Sequence, residues 1–220
     1  MKIKTNLKII EWNCNSLISK LELIKQFIRA NKPDILLLNE TKCSQELANL
    51  NVQVNGYDFL INPRKVNPNF GGGVAMFINN KLSYNQVNEF NSFDEFLAIK
   101  TKTKNNDLLI STLYKPPSSS LQKKLFEKIS GKFNYFIVGG DLNSKLIKFG
   151  NRENNADGQT LNLILESHDC SIVNDKSATY FEPRSNKEMY SEILDLFICS
   201  NNLVSNVNHF SVHTLSLIHI

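Results

Sequence analysis

The stretch that decides the fold is FNYFIVGGDLN, residues 133–143. Its apolar run, residues 135–138, ends in two glycines that are followed by Asp141 and Asn143. This pattern predicts a buried strand that carries two polar side chains to the edge of a sheet. Glycine has no Cβ atom, so two glycines would let a substrate backbone approach closely. Taken alone, the same residues fit a plain strand-to-turn junction equally well, with Asp141 and Asn143 only capping a turn.

Three other apolar runs end in polar residues in the same way. Residues 7–10 lead into EWNCN, residues 35–38 lead into Asn39 and Glu40, and residues 109–113 lead into Tyr114 and Lys115. Polar groups are costly to bury without partners. The repetition therefore predicts that several strands end at one shared cleft.

Length and composition allow one large α/β domain or two small ones. The chain has 220 residues, of which 41% are hydrophobic and 21% are charged, as in an ordinary globular protein. Strand and helix signals alternate without a Gly/Ser linker, a repeat or a low-complexity break, so one domain is the simplest interpretation. The net charge of +4 permits nucleic-acid binding without requiring it.

The sequence does not support a membrane protein, a secreted protein or a disulfide-stabilised protein. No apolar run approaches the roughly 20 residues that span a bilayer, and the first residues lead into a strand instead of a signal-peptide core. The four cysteines are scattered, without the spacing of a zinc site. We expect a soluble, intracellular protein with free thiols.

The pattern of elements predicts a mixed sheet, or two packed sheets, flanked by helices. Residues 96–102 and 108–114 read as an antiparallel pair joined by a turn at 104–107. Apolar residues recur at helical spacing after the first strand, over 121–129 and around 161–165.

The polar residues at the strand ends favour a narrow range of chemistry. Glu40 and Asp141 supply carboxylates, Asn13 and Asn143 supply amides, and Tyr114 supplies a phenol. Oxygen ligands without clustered thiols or imidazoles suit Mg²⁺ or Mn²⁺ better than zinc. Such an ion neutralises a phosphate oxygen while a carboxylate orients or deprotonates the attacking water. Metal-assisted phosphodiester hydrolysis is therefore the leading hypothesis.

Motifs of other enzyme classes are absent from the sequence. The chain has no GxSxG elbow, no GxxxxGK[ST] loop and no GxGxxG fingerprint. An esterase, a P-loop NTPase and a dinucleotide enzyme are therefore unsupported.

Six segments, in order along the chain, carry a family resemblance. They are WNCNSL at 12–17, LLLNET at 36–41, GGGVAMFI at 71–78, LYKPP at 113–117, GGDLNSK at 139–145 and ILDLFI at 193–198. Together they resemble the endonuclease/exonuclease/phosphatase superfamily, and most closely the endonuclease domain of Jockey-like non-LTR retrotransposons. The resemblance runs from about Leu7 to Thr214. It implies a four-layer α/β sandwich, in which two mixed β-sheets pack face to face with helices on the outer faces.

The resemblance also implies roles for individual residues. It implies catalytic residues, metal-binding residues and substrate contacts. The catalytic set is Asp141, which positions or activates water, Asn143, which steadies the phosphate, Tyr114, which contacts the scissile phosphate, and Asp195, which orients a histidine near the C-terminus. Glu40 binds the metal with Asn13 beside it, and Ser191 stands near a polar position of the family just upstream of Asp195. Apart from the resemblance, Lys115 and Lys145 could contact a phosphate through their charge, and Asn15 is a further candidate for substrate contact. Lysines on loops are usually only solvated, and Lys115 is the best of them because it adjoins Tyr114.

The C-terminal end departs from the family pattern. Relatives finish the site with Ser-Asp-His, whereas this chain reads HTLSLIHI from His213. The letters LSLIHI look like one reading frame of a sequencing-library transposase adapter. We therefore expect residues 1–214 to form a single domain truncated at its C-terminus, and residues 215–220 to be an adapter-derived tail. On this hypothesis His219 has no evolved role and Asp195 lacks its partner.

Three functions follow from these observations. The first is a divalent-metal DNA endonuclease that nicks one strand for retrotransposition, as a monomeric domain linked to a reverse transcriptase and acting on chromosomal DNA in the nucleus. The second is a catalytically incomplete remnant that at most binds DNA. The third is an RNA deadenylase or inositol-phosphate phosphatase with the same fold. The Jockey-like sequences of the segments GGDLNSK and ILDLFI argue against this third function.

Overall fold

The computed structural model describes residues 6–43, 52–64, 71–93, 95–103, 106–183 and 189–213. The suspected tail, residues 215–220, lies outside them. The helices of the described residues are α1 (Leu21–Asn31), α2 (Lys123–Lys132), α3 (Ala156–Ser167) and the short α4 (Asn201–Val204). The strands are β1 (Ile9–Asn13), β2 (Ile35–Asn39), β3 (Tyr57–Asn62), β4 (Val74–Asn79), β5 (Tyr84–Gln86), β6 (Phe96–Lys102), β7 (Asp107–Leu113), β8 (Phe136–Asp141), β9 (Cys170–Ile172), β10 (Tyr180–Pro183), β11 (Met189–Glu192) and β12 (Asp195–Ser200).

Ten of these strands form two mixed sheets. One sheet has four strands in the order β1-β2-β4-β3, and the other has six in the order β5-β6-β7-β8-β12-β9. Each contains one parallel pair, β1 with β2 and β7 with β8, and its other neighbours are antiparallel. Strands β10 and β11 pair separately as a hairpin.

Alternation along β2 shows how the layers stack. Ile35 and Leu37 belong to the core between the two sheets, whereas Leu36 and Leu38 belong to the core under α1. The two faces of this strand thus pack into two different cores, because successive side chains of a strand point to opposite sides of the sheet. Helices α2 and α3 cover the outer face of the six-stranded sheet through a third core. The fold is therefore the expected four-layer α/β sandwich.

Several strand boundaries differ from the sequence pattern. Strand β8 does not stop at the glycines but continues through both of them to Asp141, because β12 and β7 pair with it there. Strand β1 likewise continues through Asn13. The antiparallel pair of β6 and β7 is confirmed, although residues 104 and 105 of its turn lie outside the described part.

Two further expectations can be compared with the fold. All four cysteines are buried free thiols. Within the described ranges, no helix is long and apolar enough to cross a membrane.

The sequence suggested that the two glycines of β8 would let a substrate approach closely. In the structure, the space beside them is occupied by neighbouring parts of the protein. A Cβ atom on Gly140 would lie 1.9 Å from the Leu113 carbonyl oxygen and 2.9 Å from Nδ2 of Asn39. A Cβ atom on Gly139 would lie 2.7 Å from Cδ1 of Leu37. Glycine at these positions therefore lets β8 approach β2 and the end of β7.

Replacing Gly140 should be far more costly than replacing Gly131, which provides a matched control. We expect Gly140→Ala to lower the free energy of unfolding by about 3 kcal/mol or more, because the obstructing atom belongs to the backbone. Gly131 lies in α2, where a Cβ atom would meet nothing within 4 Å, so Gly131→Ala should stabilise by about 0.5–1 kcal/mol. Denaturant unfolding measures both, and equal effects would contradict the close approach.

Candidate active site

The side-chain amide of Asn13 joins carboxylates from the two sheets. Its Nδ2 atom donates to Oε1 of Glu40 at 3.0 Å and to Oδ2 of Asp141 at 3.0 Å. Glu40 follows β2 of the four-stranded sheet, and Asp141 ends β8 of the six-stranded sheet. The sequence predicted that several strands would end at one shared cleft. In the structure, residues at the strand ends of both sheets meet in one cluster.

The loop that carries Glu40 is held in an unusual conformation. Glu40 has a φ of 51°, in the left-handed region that residues other than glycine seldom occupy. Its carbonyl accepts a hydrogen bond from the Ser16 N–H at 2.8 Å, and the next N–H, of Thr41, donates to the Gly73 carbonyl at 3.0 Å. The three glycines at 71–73 thus support the Glu40 loop.

Asp141 and Asn143 are connected through both backbone and side chains. The Asn143 N–H donates to Oδ1 of Asp141 at 3.1 Å, and Nδ2 of Asn143 donates to the Lys115 carbonyl at 3.1 Å. The Lys115 N–H donates to the Asp141 carbonyl at 2.8 Å. Both carboxylate oxygens of Asp141 therefore accept hydrogen bonds, and its orientation is fixed.

Tyr114 and Asp195 lie beside this cluster. Tyr114 is buried, and burial together with the charges of Glu40 and Asp141 raises the pKa of its phenol, so the hydroxyl stays protonated. Asp195 begins β12 directly opposite Asp141. Its Oδ1 atom is buried without a hydrogen-bond partner among the described residues.

Glu11 is part of the cluster, although the sequence pattern assigned it no role. Its Oε1 atom accepts a hydrogen bond from Nδ2 of Asn39 at 2.7 Å, and Oδ1 of Asn39 accepts one from the Thr112 hydroxyl at 2.9 Å. Glu11 stands two residues before Asn13 on β1, so the two side chains share a face. A glutamate inside an apolar strand was the signal that could have identified it.

The crowded carboxyl groups disfavour one another's charged forms. Burial, followed by the charge of Asp195, raises the pKa of Asp141 to about 8. Burial, and more weakly Glu40, raises the pKa of Asp195 to about 6. Burial and the charges of Asp195 and Asp141 raise the pKa of Glu11 well above its usual value. Burial, and more weakly mutual repulsion, thus favour the protonated forms of these carboxyl groups.

A large cavity opens at this cluster. Its volume is about 1470 Å³, and it runs between β1 and β12. Its polar end is lined by Glu11, Asn13, Asn15, Glu40, Asp141 and Asp195. The remaining lining includes apolar side chains such as Ile9, Ile137 and Phe197. The carboxylates are therefore reachable from a space large enough for a polar ligand.

The donor set fits a hard divalent cation. It consists of carboxylate and amide oxygens, and the unpartnered Oδ1 atom of Asp195 is one of them. Within the described part of the chain, no three His, Cys, Asp or Glu side chains form a ready-made metal cage. Mg²⁺ commonly takes only one or two carboxylates and completes its shell with water and phosphate. Glu40 and its neighbours are compatible with that mode of binding.

The residues expected to contact the substrate are less closely associated with the cluster than Asn13, Glu40 and Asp141 are. Asn15 lines the cavity, and its N–H donates to Oδ1 of Asn13 at 3.2 Å. Lys115 is only 4% exposed, and its Nζ atom lies 2.6 Å from Oδ2 of Asp157. Nζ of Lys145 lies 3.1 Å from Oε1 of Glu153. Both ammonium groups are therefore already engaged by the protein.

Ser191 stands apart from the cluster. It lies on β11 opposite Phe181. Among the described residues, no hydrogen bond joins it to the carboxylates. Its contact with a substrate, like the other implied roles, stays a prediction.

Stability in the absence of metal should fall as pH rises. The folded-state pKa of Asp141, about 8, exceeds the unfolded value of about 3.9, so the folded protein binds the proton more tightly. This contribution is complete below about pH 4 and is lost as the pH approaches 8. In EDTA we expect Tm to fall between pH 5 and pH 8 by at least about 2–4 °C, the shift that 1 kcal/mol causes in a domain of this size.

The variant Asp141→Asn should reduce this pH dependence, because an amide does not titrate. The exposed Asp107 supplies the control, since Asp107→Asn should leave the dependence unchanged. Differential scanning fluorimetry in EDTA measures all three proteins, and an identical pH dependence in Asp141→Asn would contradict the charge crowding.

Removing one member of the buried Lys115–Asp157 pair should be costly. Asp157→Ala leaves the Lys115 ammonium buried without its partner, and we expect a loss of about 3 kcal/mol in the free energy of unfolding. The surface pair of Lys100 and Asp107, at 3.2 Å, is the control, and Asp107→Ala should cost less than about 1 kcal/mol. Urea unfolding compares them, and similar losses would show that the Lys115 amine finds other compensation.

Comparison with known proteins finds relatives among the RNA-directed DNA polymerases of mobile elements. Of the curated relatives, the probable RNA-directed DNA polymerase from transposon BS of Drosophila melanogaster is 28% identical over 179 residues, which cover 80% of this chain and 19% of that protein. The RNA-directed DNA polymerase from mobile element jockey of Drosophila funebris is 23% identical over 217 residues, covering 97% of this chain and 23% of that protein. The chain thus spans about a fifth of the length of these relatives.

Solved structures share the fold. The endonuclease domain of TRAS1, a telomere-specific non-LTR retrotransposon, superposes with a TM-score of 0.73 at 16% identity, over 91% of this chain and 88% of that one. The AP endonuclease LMAP from Leishmania major gives a TM-score of 0.75 at 15% identity, over 93% and 85%. The family model described as endonuclease-reverse transcriptase matches residues 108–217, half of the chain. The chain belongs to this endonuclease-reverse transcriptase family, within the endonuclease/exonuclease/phosphatase superfamily.

Proposed function

We propose that this chain is a divalent-metal-dependent DNA endonuclease that hydrolyses a phosphodiester bond in one strand of its target. The observation that carries the proposal is the bridge through Asn13, which holds Glu40 and Asp141 together at the mouth of the cavity. Family membership and the carboxylate-rich donor set support it.

Glu40 would hold the metal, with Asn13 beside it. A bound Mg²⁺ or Mn²⁺ ion supplies positive charge that offsets the charge on the phosphate and on the leaving oxygen. Its presence would also offset the burial, and the weaker repulsion, that raise the pKa of Asp141 and Asp195.

The remaining chemistry belongs to the side chains. Asp141 orients the attacking water and accepts its proton, while the water oxygen forms a bond to phosphorus and the bond from phosphorus to the 3′ oxygen breaks. The departing 3′ oxygen takes up a proton from solvent, so the products are a 3′ hydroxyl and a 5′ phosphate. Asn143 donates one amide hydrogen to the Lys115 carbonyl, and it would donate its second amide hydrogen to a phosphate oxygen. The protonated Tyr114 hydroxyl, whose single hydrogen bonds to Glu40, would turn that hydrogen to a phosphate oxygen when substrate binds.

A free 3′ hydroxyl suits priming by a reverse transcriptase. The curated relatives carry the name RNA-directed DNA polymerase, and this chain covers about a fifth of their length. We infer that the domain is linked to a reverse transcriptase in the intact element and acts on chromosomal DNA in the nucleus.

A nicking assay on supercoiled plasmid tests the proposal. We expect conversion to open circle in Mg²⁺ and none in EDTA, and polymerase extension from the nick should report a 3′ hydroxyl. Asp141→Ala should reduce the rate by at least about 100-fold, because the water then has no carboxylate to receive its proton. The exposed-site variant Asp107→Ala should nick at the wild-type rate.

Either of two results would refute the proposal. One is a folded wild-type protein that leaves the plasmid supercoiled in both Mg²⁺ and Mn²⁺, which would favour a remnant that only binds DNA. The other is an Asp141→Ala variant that nicks as fast as wild type.

A further inference from the structure

The first turn of α3 contacts the loop that follows β8. Asn155 caps this helix, with Oδ1 accepting a hydrogen bond from the Gly158 N–H at 2.7 Å. The same Oδ1 atom accepts the Lys145 N–H at 2.9 Å, and Nδ2 of Asn155 donates to the Asn143 carbonyl at 2.8 Å. The Asn155 N–H donates to the Lys145 carbonyl at 3.0 Å. A single residue thus caps the helix and binds the loop at two positions.

The loop lies directly against the helix. Gly158 is buried, and a Cβ atom there would lie 1.9 Å from the Lys145 carbonyl oxygen. Leu161 and Ile164 of α3 are also buried, in the core that covers the six-stranded sheet. The helix is therefore a fixed support against which the loop can be placed.

The conformation of Asn143 depends on contacts with its surroundings. Its φ of 47° lies in the left-handed region, which residues other than glycine seldom occupy, although asparagine tolerates it better than most. Its N–H bonds to Asp141, its Nδ2 atom bonds to the Lys115 carbonyl, and its carbonyl accepts the bond from Asn155. Without Asn155 the loop would lose the contact that ties Asn143 to α3.

The same turn of α3 also holds the other partner of Asn143. Asp157 accepts a hydrogen bond from Nζ of Lys115 at 2.6 Å and another from the Leu121 N–H at 2.8 Å. The Lys115 carbonyl is the group that receives the Asn143 side-chain amide. Residues 155 and 157 therefore fix Asn143 from two directions, through its backbone and through its side-chain partner.

We infer that Asn155 is a positioning residue of the nuclease, which sets the placement of the Asn143 amide without contacting the substrate. The inference rests on the proposed function, in which Asn143 donates to the phosphate. Supporting groups of this kind typically change rates by about 10–100-fold when they are lost.

The variant Asn155→Asp separates positioning from helix capping. Aspartate caps a helix as well as asparagine does, so Tm should stay close to that of wild type. Its second oxygen cannot donate to the Asn143 carbonyl and repels it instead. We expect kcat for plasmid nicking to fall about 10–100-fold with KM within about twofold. Asn162→Asp, the same chemical change further along α3, is the control and should leave both constants unchanged.

Two further measurements decide whether Asn155 acts through Asn143. Added to Asn143→Ala, the change Asn155→Asp should lower kcat by less than about twofold, because the group it positions is already gone. In hydrogen–deuterium exchange, the backbone amides of residues 143–145 should exchange at least about tenfold faster in Asn155→Asp, while those of residues 159–167 keep the wild-type rate.

The outcomes separate this inference from the proposed function. Any one of three results would overturn the positioning role. The exchange rates of residues 143–145 in Asn155→Asp could lie within twofold of wild type, or Asn155→Asp could leave kcat unchanged. The third result is a double variant in which the two reductions of kcat multiply. If wild type does not nick DNA, the proposed function fails, and the exchange rates alone still decide whether Asn155 holds the Asn143 loop.

Discussion

The burial of several carboxylates that also repel one another is the constraint on which the site depends. Glu11, Asp141 and Asp195 lie in a poorly solvated space between the sheets, and each has a raised pKa. The amide of Asn13 offsets part of this cost by donating to Glu40 and Asp141 with a single nitrogen. Such an arrangement is unfavourable as a purely structural feature, and it is consistent with the proposed binding of a cation and a phosphate there.

Local patterns in the sequence predicted a mixed sheet or two packed sheets flanked by helices, whereas the four layers were implied by the family resemblance. Apolar runs of the right length marked the central strands, and alternation along β2 supplies both the core between the sheets and the core under α1. The six family segments added the global arrangement. Strand ends were predicted less well, since the pairing of β8 with β7 and β12 extends it through two glycines that local propensity would place in a turn.

The site was predicted only where residues follow strand ends in recognisable segments. Asn13, Glu40 and Asp141 were expected to converge, and the structure brings them into hydrogen-bond contact. Glu11 and Asn155 received no role, because their significance lies in contacts with residues distant in the sequence or in a loop whose path no local pattern fixes. Lys115 was expected to face the substrate, but its ammonium group is held by Asp157, a partner 42 positions away.

The bridge through Asn13 has a consequence for the order of folding. Asn13 and Asp141 are separated by 128 positions, so their contact closes a very long loop and forms only when both sheets have docked. The six-stranded sheet by itself would place Asp141 opposite Asp195 with no amide to separate the charges. During synthesis, the Asn13 bridge would therefore form only after the strand that carries Asp141 had emerged and the two sheets had docked.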